Sequence, residues 1–278
     1  CLVSHLPGDV VLDDVPRKDL SQVSFASLHA FMRERDPDFA RSCKPVPRED
    51  IAACEQRLGL ALPTAYVEML VAMGAGSGRY QPFGSDQDHD FYGLLERLDF
   101  ARYPTDRYFR VALQIDDSLD VIQEPYLDLG RAAGDDTPLV TIYDAGPFSP
   151  DDVYELNRTL TEVLTINVFN AFLLASGADV VGLSNSVDSP RQAPALRDAA
   201  VARLQALGLA VVLPPLARVV CLEGGDVAAL VELHGDRGTV LAIDINGRDS
   251  RTVKAIAEAV AAGLPGTTWN HAARMGLG

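Results

Sequence analysis

From residue 24 onward, the N-terminal part of the chain places hydrophobic residues at the spacing of amphipathic helices. Residues 24–35 have this spacing, with apolar positions at Phe25, Leu28, Phe31 and Met32. A second helix is predicted after Pro47, where an acidic first turn complements the helix dipole. Its apolar stripe consists of Ile51, Cys54 and Leu58. Gly59 follows this stripe, so we expect it to end the helix in a left-handed conformation.

A third helix is predicted to begin with Pro63 as its first residue, because proline suits the first turn. Apolar side chains then recur at helical spacing at Tyr66, Met69, Leu70 and Met73, and Gly74 is expected to end the helix. Only a few residues separate the second and third helices, which must therefore turn sharply on each other.

The pattern changes to short strands in the middle of the chain. Strand-like runs occupy residues 109–115, 139–143 and 153–156, separated by Gly, Pro and Asp. Residues 160–175 return to helical spacing. Residues 177–193 are rich in Ser, Asn, Asp and Gly, so we interpret them as a linker.

The remaining residues, 194–278, have the pattern of a smaller C-terminal α+β domain. A helix is predicted over 195–207, strands over 210–213, 218–222, 227–233 and 239–245, and a helix over 250–262. The predicted organisation is a loosely ordered arm (1–22), a larger domain (23–176), the linker and this accessory domain.

The charge of the chain limits its partners. Its 278 residues carry a net charge of −15, which argues against nucleic acid and anionic membranes and suits a basic protein partner. The alternative is that the acidity only maintains solubility. No apolar run reaches the ~18 residues that a membrane span requires.

The cysteines indicate a reducing compartment. Cys43, Cys54 and Cys221 form no CxxC pair, and Cys54 and Cys221 lie in helical and strand-like patterns as small buried residues. We therefore expect a cytoplasmic protein. Because the first residue is Cys1, a lipid anchor on that residue is a minor alternative.

The search for catalytic groups favours a protein that is not an enzyme. The histidines form no compact ligand pair, and GAGSG at 74–78 follows a helix instead of a strand. Asp86, Asp88 and Asp90 alternate as in a Ca²⁺ loop but lack its glycine and closing glutamate, so we expect a solvated loop and no metal or cofactor. The C-terminal candidates follow hairpin spacing better than active-site spacing: Asp226, Glu232, His234, Asp236 and Asp244.

Negative charge is concentrated between Val111 and Asn157. Eleven acidic residues and one arginine give this segment a charge of −10, and aromatic residues are interleaved with them. Such a surface could steer and anchor a basic partner. The alternative is that the aromatics are core residues and the acids cover turns and sheet edges. The predicted partner-binding residues are Asp116, Asp117, Asp120, Glu124, Tyr126, Asp128, Asp135 and Asp136.

Residues 51–74, IAACEQRLGLALPTAYVEMLVAMG, resemble the signature of the SUKH superfamily, which includes Smi/Knr-like proteins and bacterial immunity proteins. The matching positions are Ile51, Glu55, Leu58, Gly59, Leu62, Pro63, Tyr66, Leu70 and Gly74. The segments LVTIYD (139–144) and INVFNAFL (166–173) resemble a late strand and the closing helix, while the central hairpin is poorly matched around 111–130. The resemblance covers about residues 24–176.

The resemblance implies an α+β fold, with an antiparallel sheet flanked by helices, and a protein-binding activity. The motif residues Gly59, Leu62, Pro63, Tyr66, Leu70 and Gly74 are then structural. The function that we expect is that of an immunity protein, which neutralises a toxin, such as a nuclease, through an acidic face in a toxin–antitoxin pair. The alternative is a regulatory or scaffold protein of the Smi/Knr type without a toxin partner.

Overall fold

A computed structural model describes residues 24–78, 80–84, 87–114, 124–132, 135–142, 147–173, 179–187, 189–235 and 238–270. The predicted N-terminal arm, including Cys1, lies outside these residues. Within them the protein has an α+β fold with antiparallel sheets, as predicted. Every described helix is too short or too polar to cross a membrane.

The N-terminal half contains the predicted helices and additional short ones. They are α1 (Phe25–Arg35), α2 (Phe39–Ser42), α3 (Arg48–Leu58), α4 (Thr64–Met73), α5 (Phe91–Arg97) and α6 (Leu160–Phe172). Gly59 ends α3 with φ 70°, which confirms the expected left-handed cap. Pro63 precedes α4 in an extended conformation, so the prediction that it is the first helical residue is wrong by one position.

A four-stranded antiparallel sheet completes this half. The strands of the half are β1 (Cys43–Lys44), β2 (Gly76–Ser77), β3 (Gln87–Asp88), β4 (Tyr108–Arg110), β5 (Leu113–Gln114), β6 (Pro125–Asp128), β7 (Pro138–Ile142) and β8 (Val153–Thr159). The sheet has the order β4-β6-β7-β8, while β1 pairs with β2 and β3 with β5. Strand β8 is therefore an outer strand of the larger sheet.

The C-terminal half is a six-stranded antiparallel sheet with helices α7 (Ala193–Ala206) and α8 (Ser250–Gly263). Its strands are β9 (Asp179–Ser186), β10 (Ala210–Val211), β11 (Val219–Gly224), β12 (Val227–His234), β13 (Val240–Gly247) and β14 (Thr268–Asn270), in the order β10-β11-β12-β13-β9-β14. The predicted linker is wrong over β9, because all eight residues of this strand pair with β13.

The two halves share a hydrophobic core. Residues of the N-terminal helices, such as Tyr66 and Leu164, belong to the same buried cluster as Cys221 and Leu230 of the C-terminal sheet. The opposite face of that sheet packs against α7 and α8 in a second cluster. The C-terminal sheet is thus sandwiched between its own helices and the N-terminal half, which brings side chains of the two halves into contact.

Most of the matching positions of the motif at 51–74 are buried. Tyr66 and Leu70 are fully buried, and Leu62 is 6% exposed. Gly74 ends α4 with an ordinary φ of −69°. Leu62, Tyr66 and Leu70 are therefore core residues.

Candidate functional site

The predicted binding residues divide into exposed and interior groups. Asp116, Asp117 and Asp120 lie outside the described residues. Of the remaining ones, Asp135 is exposed, and Glu124 and Asp136 are half-buried. Tyr126 and Asp128 are buried. The structure therefore does not bring the described members together as one acidic surface.

Tyr126 and Asp128 are interior residues of strand β6, so their assignment to a partner-binding face is wrong. Their exposed fractions are 0% and 1%. The Asp128 carboxylate accepts hydrogen bonds from Arg107 Nε at 3.0 Å and from Arg131 Nε at 2.8 Å. A carboxylate neutralised by two arginines satisfies the requirement for a buried charge. The positions of the acidic residues in the sequence are the same for a buried aspartate paired with arginines and for an exposed one.

Glu124 belongs to a second internal charge pair. Arg110 Nε lies 3.1 Å from the Glu124 carboxylate and donates to the Tyr126 hydroxyl at 2.9 Å. The ring of Tyr103 packs edge-on against Tyr126, with centroids 4.8 Å apart. The side chains of Arg110 and Glu124 are only 12% and 13% exposed. This carboxylate is therefore largely neutralised within the fold.

Asp135 and Asp136 lie beside the beginnings of two helices. Thr64, the first residue of α4, donates its hydroxyl to Asp135 Oδ1 at 2.9 Å. Asp136 Oδ1 accepts from the backbone N–H of Thr161 at 3.2 Å, in the first turn of α6. A carboxylate at a helix N-terminus satisfies free N–H groups and the helix dipole. Asp136 thus has a capping role, whereas Asp135 keeps an exposed carboxylate.

Strand β8 carries exposed residues at the edge of the N-terminal sheet. Tyr154 is 58% exposed and Leu156 is 37% exposed. Between them, Glu155 is exposed and forms an ion pair with Arg131. Among the described strands, only β7 pairs with β8. An outer strand with an exposed aromatic residue and a nearby acid, Asp151, is a candidate contact surface.

The end of β8 bulges away from β7. Pro138 pairs with Thr159 and Val140 pairs with Glu155, so three residues of β8 oppose Leu139 alone. Asn157 lies in this bulge with φ 54°, a left-handed conformation that asparagine tolerates better than most residues. The bulge places the Asn157 carbonyl and the Arg158 side chain against the C-terminal half.

Arg158, Glu232 and His234 form a polar cluster at this junction. Arg158 Nη2 forms an ion pair with Glu232 Oε1 and lies 3.3 Å from His234 Nδ1. Since a guanidinium can only donate, Nδ1 of the neutral imidazole is the acceptor and Nε2 carries the hydrogen. This Nε2 lies 3.4 Å from the other oxygen of Glu232. Each oxygen of Glu232 therefore lies near a nitrogen atom of the cluster, but Oε1 makes no hydrogen bond among the described residues.

Burial dominates the electrostatics of this cluster. It raises the pKa of Glu232 to about 7, while Arg158 lowers that pKa and Glu162 raises it further. Burial also lowers the pKa of His234, with smaller contributions from Arg158 and Arg218. The pKa of Asp244 is raised by burial alone. A carboxyl group that titrates near neutral pH could serve in proton transfer or as a pH-sensitive contact.

The C-terminal candidates lie closer together in the fold than their spacing in the sequence indicates. Glu232 and His234 alternate on β12, and the pairing of Glu232 with Ala242 puts Asp244 of β13 on the same sheet face. The hairpin spacing is therefore correct, but it also makes the side chains converge. Arg158, which lies 74 positions before Glu232 in the numbering, could not be assigned to them without the fold. Asp236 lies outside the described residues.

The loop predicted around Asp86, Asp88 and Asp90 contains a short strand and a helix cap. Asp86 lies outside the described residues, and Asp88 is in β3. Asp90 caps α5 by accepting from the Gly93 N–H at 3.1 Å. Within the part of the chain that is described, no group of three or more His, Cys, Asp or Glu residues is arranged to hold a metal ion.

Comparisons with protein-family models, with curated proteins and with solved structures give no match for this chain.

Proposed function

We propose that this chain is a SUKH-like immunity-type protein that acts in the cytoplasm without catalysis, by covering the surface of a basic toxin domain. The support from sequence is the net charge of −15, its concentration between Val111 and Asn157, and the motif at residues 51–74. Opposite charges accelerate association with a basic partner and disfavour acidic competitors.

The observation that carries the proposal is the exposed edge of β8. Tyr154 offers a large aromatic surface with 58% exposure, and aromatic anchors contribute strongly to protein interfaces. Asp151 supplies negative charge close to it in the chain, whereas the charge of Glu155 is offset by Arg131. The outer strand also offers backbone donors and acceptors to an extended segment of a partner.

The first experiment identifies the partner and tests the anchor. The tagged chain is purified from its native host, the bound protein is identified, and the affinity of the purified pair is measured. We expect a basic partner whose affinity falls about 10-fold or more with Tyr154→Ala. Glu258→Gln, on the exposed side of α8, is the control variant. An unchanged affinity of the Tyr154→Ala variant would contradict a role for Tyr154 in the interface.

The second experiment tests the acidic segment. Replacing Asp116, Asp117, Asp120 and Asp135 with asparagine should weaken binding and reduce its dependence on salt. The matched control neutralises Asp198 and Glu258, which lie on the exposed sides of α7 and α8. Unchanged affinity and unchanged salt dependence would contradict a role for this segment.

The toxin assignment has its own test. The identified partner is expressed in a sensitive host with and without this chain, and growth is measured. We expect the partner alone to stop growth and co-expression to restore it. A harmless partner would contradict the immunity function while leaving protein binding intact.

A further inference from the structure

Polar contacts among the described residues connect the two halves of the molecule. Arg35 of α1 forms an ion pair with Glu223 of β11. Arg218, in the segment before β11, donates to the carbonyl oxygen of Asn157 in the β8 bulge. Arg158, also in the bulge, forms an ion pair with Glu232 of β12. The last two contacts join the end of β8 to the C-terminal sheet.

Glu232 is the most buried charged side chain in these ion pairs. It is 5% exposed, so its charge is almost completely removed from water. Ionisable groups face it from the elements that pack there, and two of them are carboxyl groups. These neighbours are Arg158 on β8, Glu162 on α6, Arg218 before β11, Cys221 on β11, His234 on β12 and Asp244 on β13. The site thus gathers three carboxyl groups around two arginines.

We propose that this junction is a proton-controlled latch: the C-terminal sheet holds the bulged end of β8 firmly while Glu232 is protonated and loosely once Glu232 is ionised. The ionised carboxylate gains the ion pair with Arg158. It also loses its hydration and faces the negative charges of Glu162 and Asp244. A buried ion pair often fails to repay the loss of hydration, particularly beside like charges.

The direction of the pH effect follows from proton linkage. Burial raises the pKa of Glu232 from 4.5 to about 7, and the same carboxyl exposed in an opened junction would titrate near its ordinary value. The closed junction therefore binds the proton more tightly than the open one. Closure is favoured below the pKa of the exposed group and loses this contribution as pH rises through about 7.

The neighbouring carboxyl groups act in the same direction. The pKa values of Glu162 and Asp244 are also raised by burial, so each of them favours the closed junction in its protonated form. His234 acts in the opposite direction, because burial lowers its pKa and its protonation in acid disfavours the closed state. Removing the Glu232 carboxylate should therefore reduce the pH dependence without abolishing it.

Hydrogen exchange of the β8 amides tests the latch. Exchange is measured by mass spectrometry at about pH 5.5 and 8.5 and corrected for the intrinsic pH dependence of exchange. The proteins compared are the unmodified chain, Glu232→Gln and the control Glu258→Gln, which removes an exposed carboxylate of α8. Glutamine has the shape of a protonated glutamate, so the first variant imitates the closed form.

The expected result is a loss of protection that is confined to the junction. In the unmodified chain and the control, protection of β8 should fall about 10-fold or more between the two pH values, and less than about 3-fold in Glu232→Gln. Protection of α8 should change little in all proteins. Equal pH dependence in all proteins, or tighter protection of β8 at high pH, would overturn the latch.

A second measurement guards against a variant that does not fold. In the unmodified chain alone, β8 must lose more protection than α8 as pH rises, and parallel behaviour of the two elements would also overturn the proposal. The latch does not require the proposed partner, because both measurements use the isolated chain.

Discussion

Arg218 donates a hydrogen bond to the backbone carbonyl of Asn157, although 61 positions separate the two residues. The acceptor lies in the bulge of β8, where Asn157 has φ 54°. This contact shows that the bulge belongs to the junction between the halves. The left-handed residue, the bulge and the arginine form one local arrangement, whose parts can be changed separately.

Replacement of Asn157 tests the backbone of the bulge. We expect Asn157→Val to lower the free energy of unfolding by about 1–2 kcal/mol, because a β-branched residue is strained at positive φ. Asn157→Gly should lower it less than Asn157→Val does, since glycine adopts this conformation readily. Urea denaturation gives both values. Equal destabilisation by the two variants would show that the Asn157 side chain, instead of the backbone conformation, is required.

Replacement of Arg158 tests the charge balance of the junction. Arg158→Ala leaves Glu232 buried without its guanidinium partner. Because the carboxyl group can take up a proton instead of remaining an unpaired charge, we expect a loss of about 1–2 kcal/mol at pH 8. The loss should be smaller at pH 5.5, where Glu232 is protonated. Lys254→Ala breaks the exposed pair with Glu258 and should cost less than about 0.5 kcal/mol. A loss at pH 8 no larger than that of the control would contradict a buried ion pair.

Replacement of Asp128 tests its reassignment from the surface to the interior. Asp128→Asn leaves Arg107 and Arg131 without their shared carboxylate, so we expect the protein to be destabilised by about 2–3 kcal/mol. Asp135→Asn, at an exposed position of the same acidic segment, should change stability by about 0.5 kcal/mol or less. Thermal or urea unfolding measures both. A similarly small effect of both substitutions would contradict a buried, arginine-paired Asp128.

The buried side chain of His89 should make the folded protein less stable in mild acid. The ring is 6% exposed, and burial lowers its pKa from 6.5 although Asp88 and Asp90 raise it. The folded protein therefore binds this proton less tightly than the unfolded chain, and stability is lost as pH falls below 6.5. We expect His89→Gln to lose less stability than the unmodified chain between about pH 7.5 and 5. Identical losses in urea titrations would contradict a buried neutral His89.

The sequence alone predicted many of the helices and strands, since their signals are local. The spacing of Tyr66, Met69 and Leu70 requires a helix whose apolar face is covered, and all three residues are buried. The strands predicted over 227–233 and 239–245 are likewise present, as the paired strands β12 and β13. In these elements the period of the hydrophobic pattern and the glycine that follows are sufficient.

Strand β9 shows what local patterns miss. Its polar composition resembled a linker, yet alternate residues such as Val181 and Leu183 pack toward α7 and α8, while Gly182 and Ser184 point to the other face. The strand forms because β13, some sixty positions later, supplies its hydrogen-bonding partner. Pairing between distant segments is a property of the assembled sheet, and composition does not reveal it.

The candidate site depended on the tertiary structure to a still greater extent. The sequence determined that the chain is acidic and where its carboxylates are concentrated. The fold decided that Asp128 is neutralised by arginines, that Tyr154 is exposed, and that Arg158 meets Glu232. Burial and the distance between charges fix how a carboxyl group behaves, and both quantities exist only once the two halves are packed together.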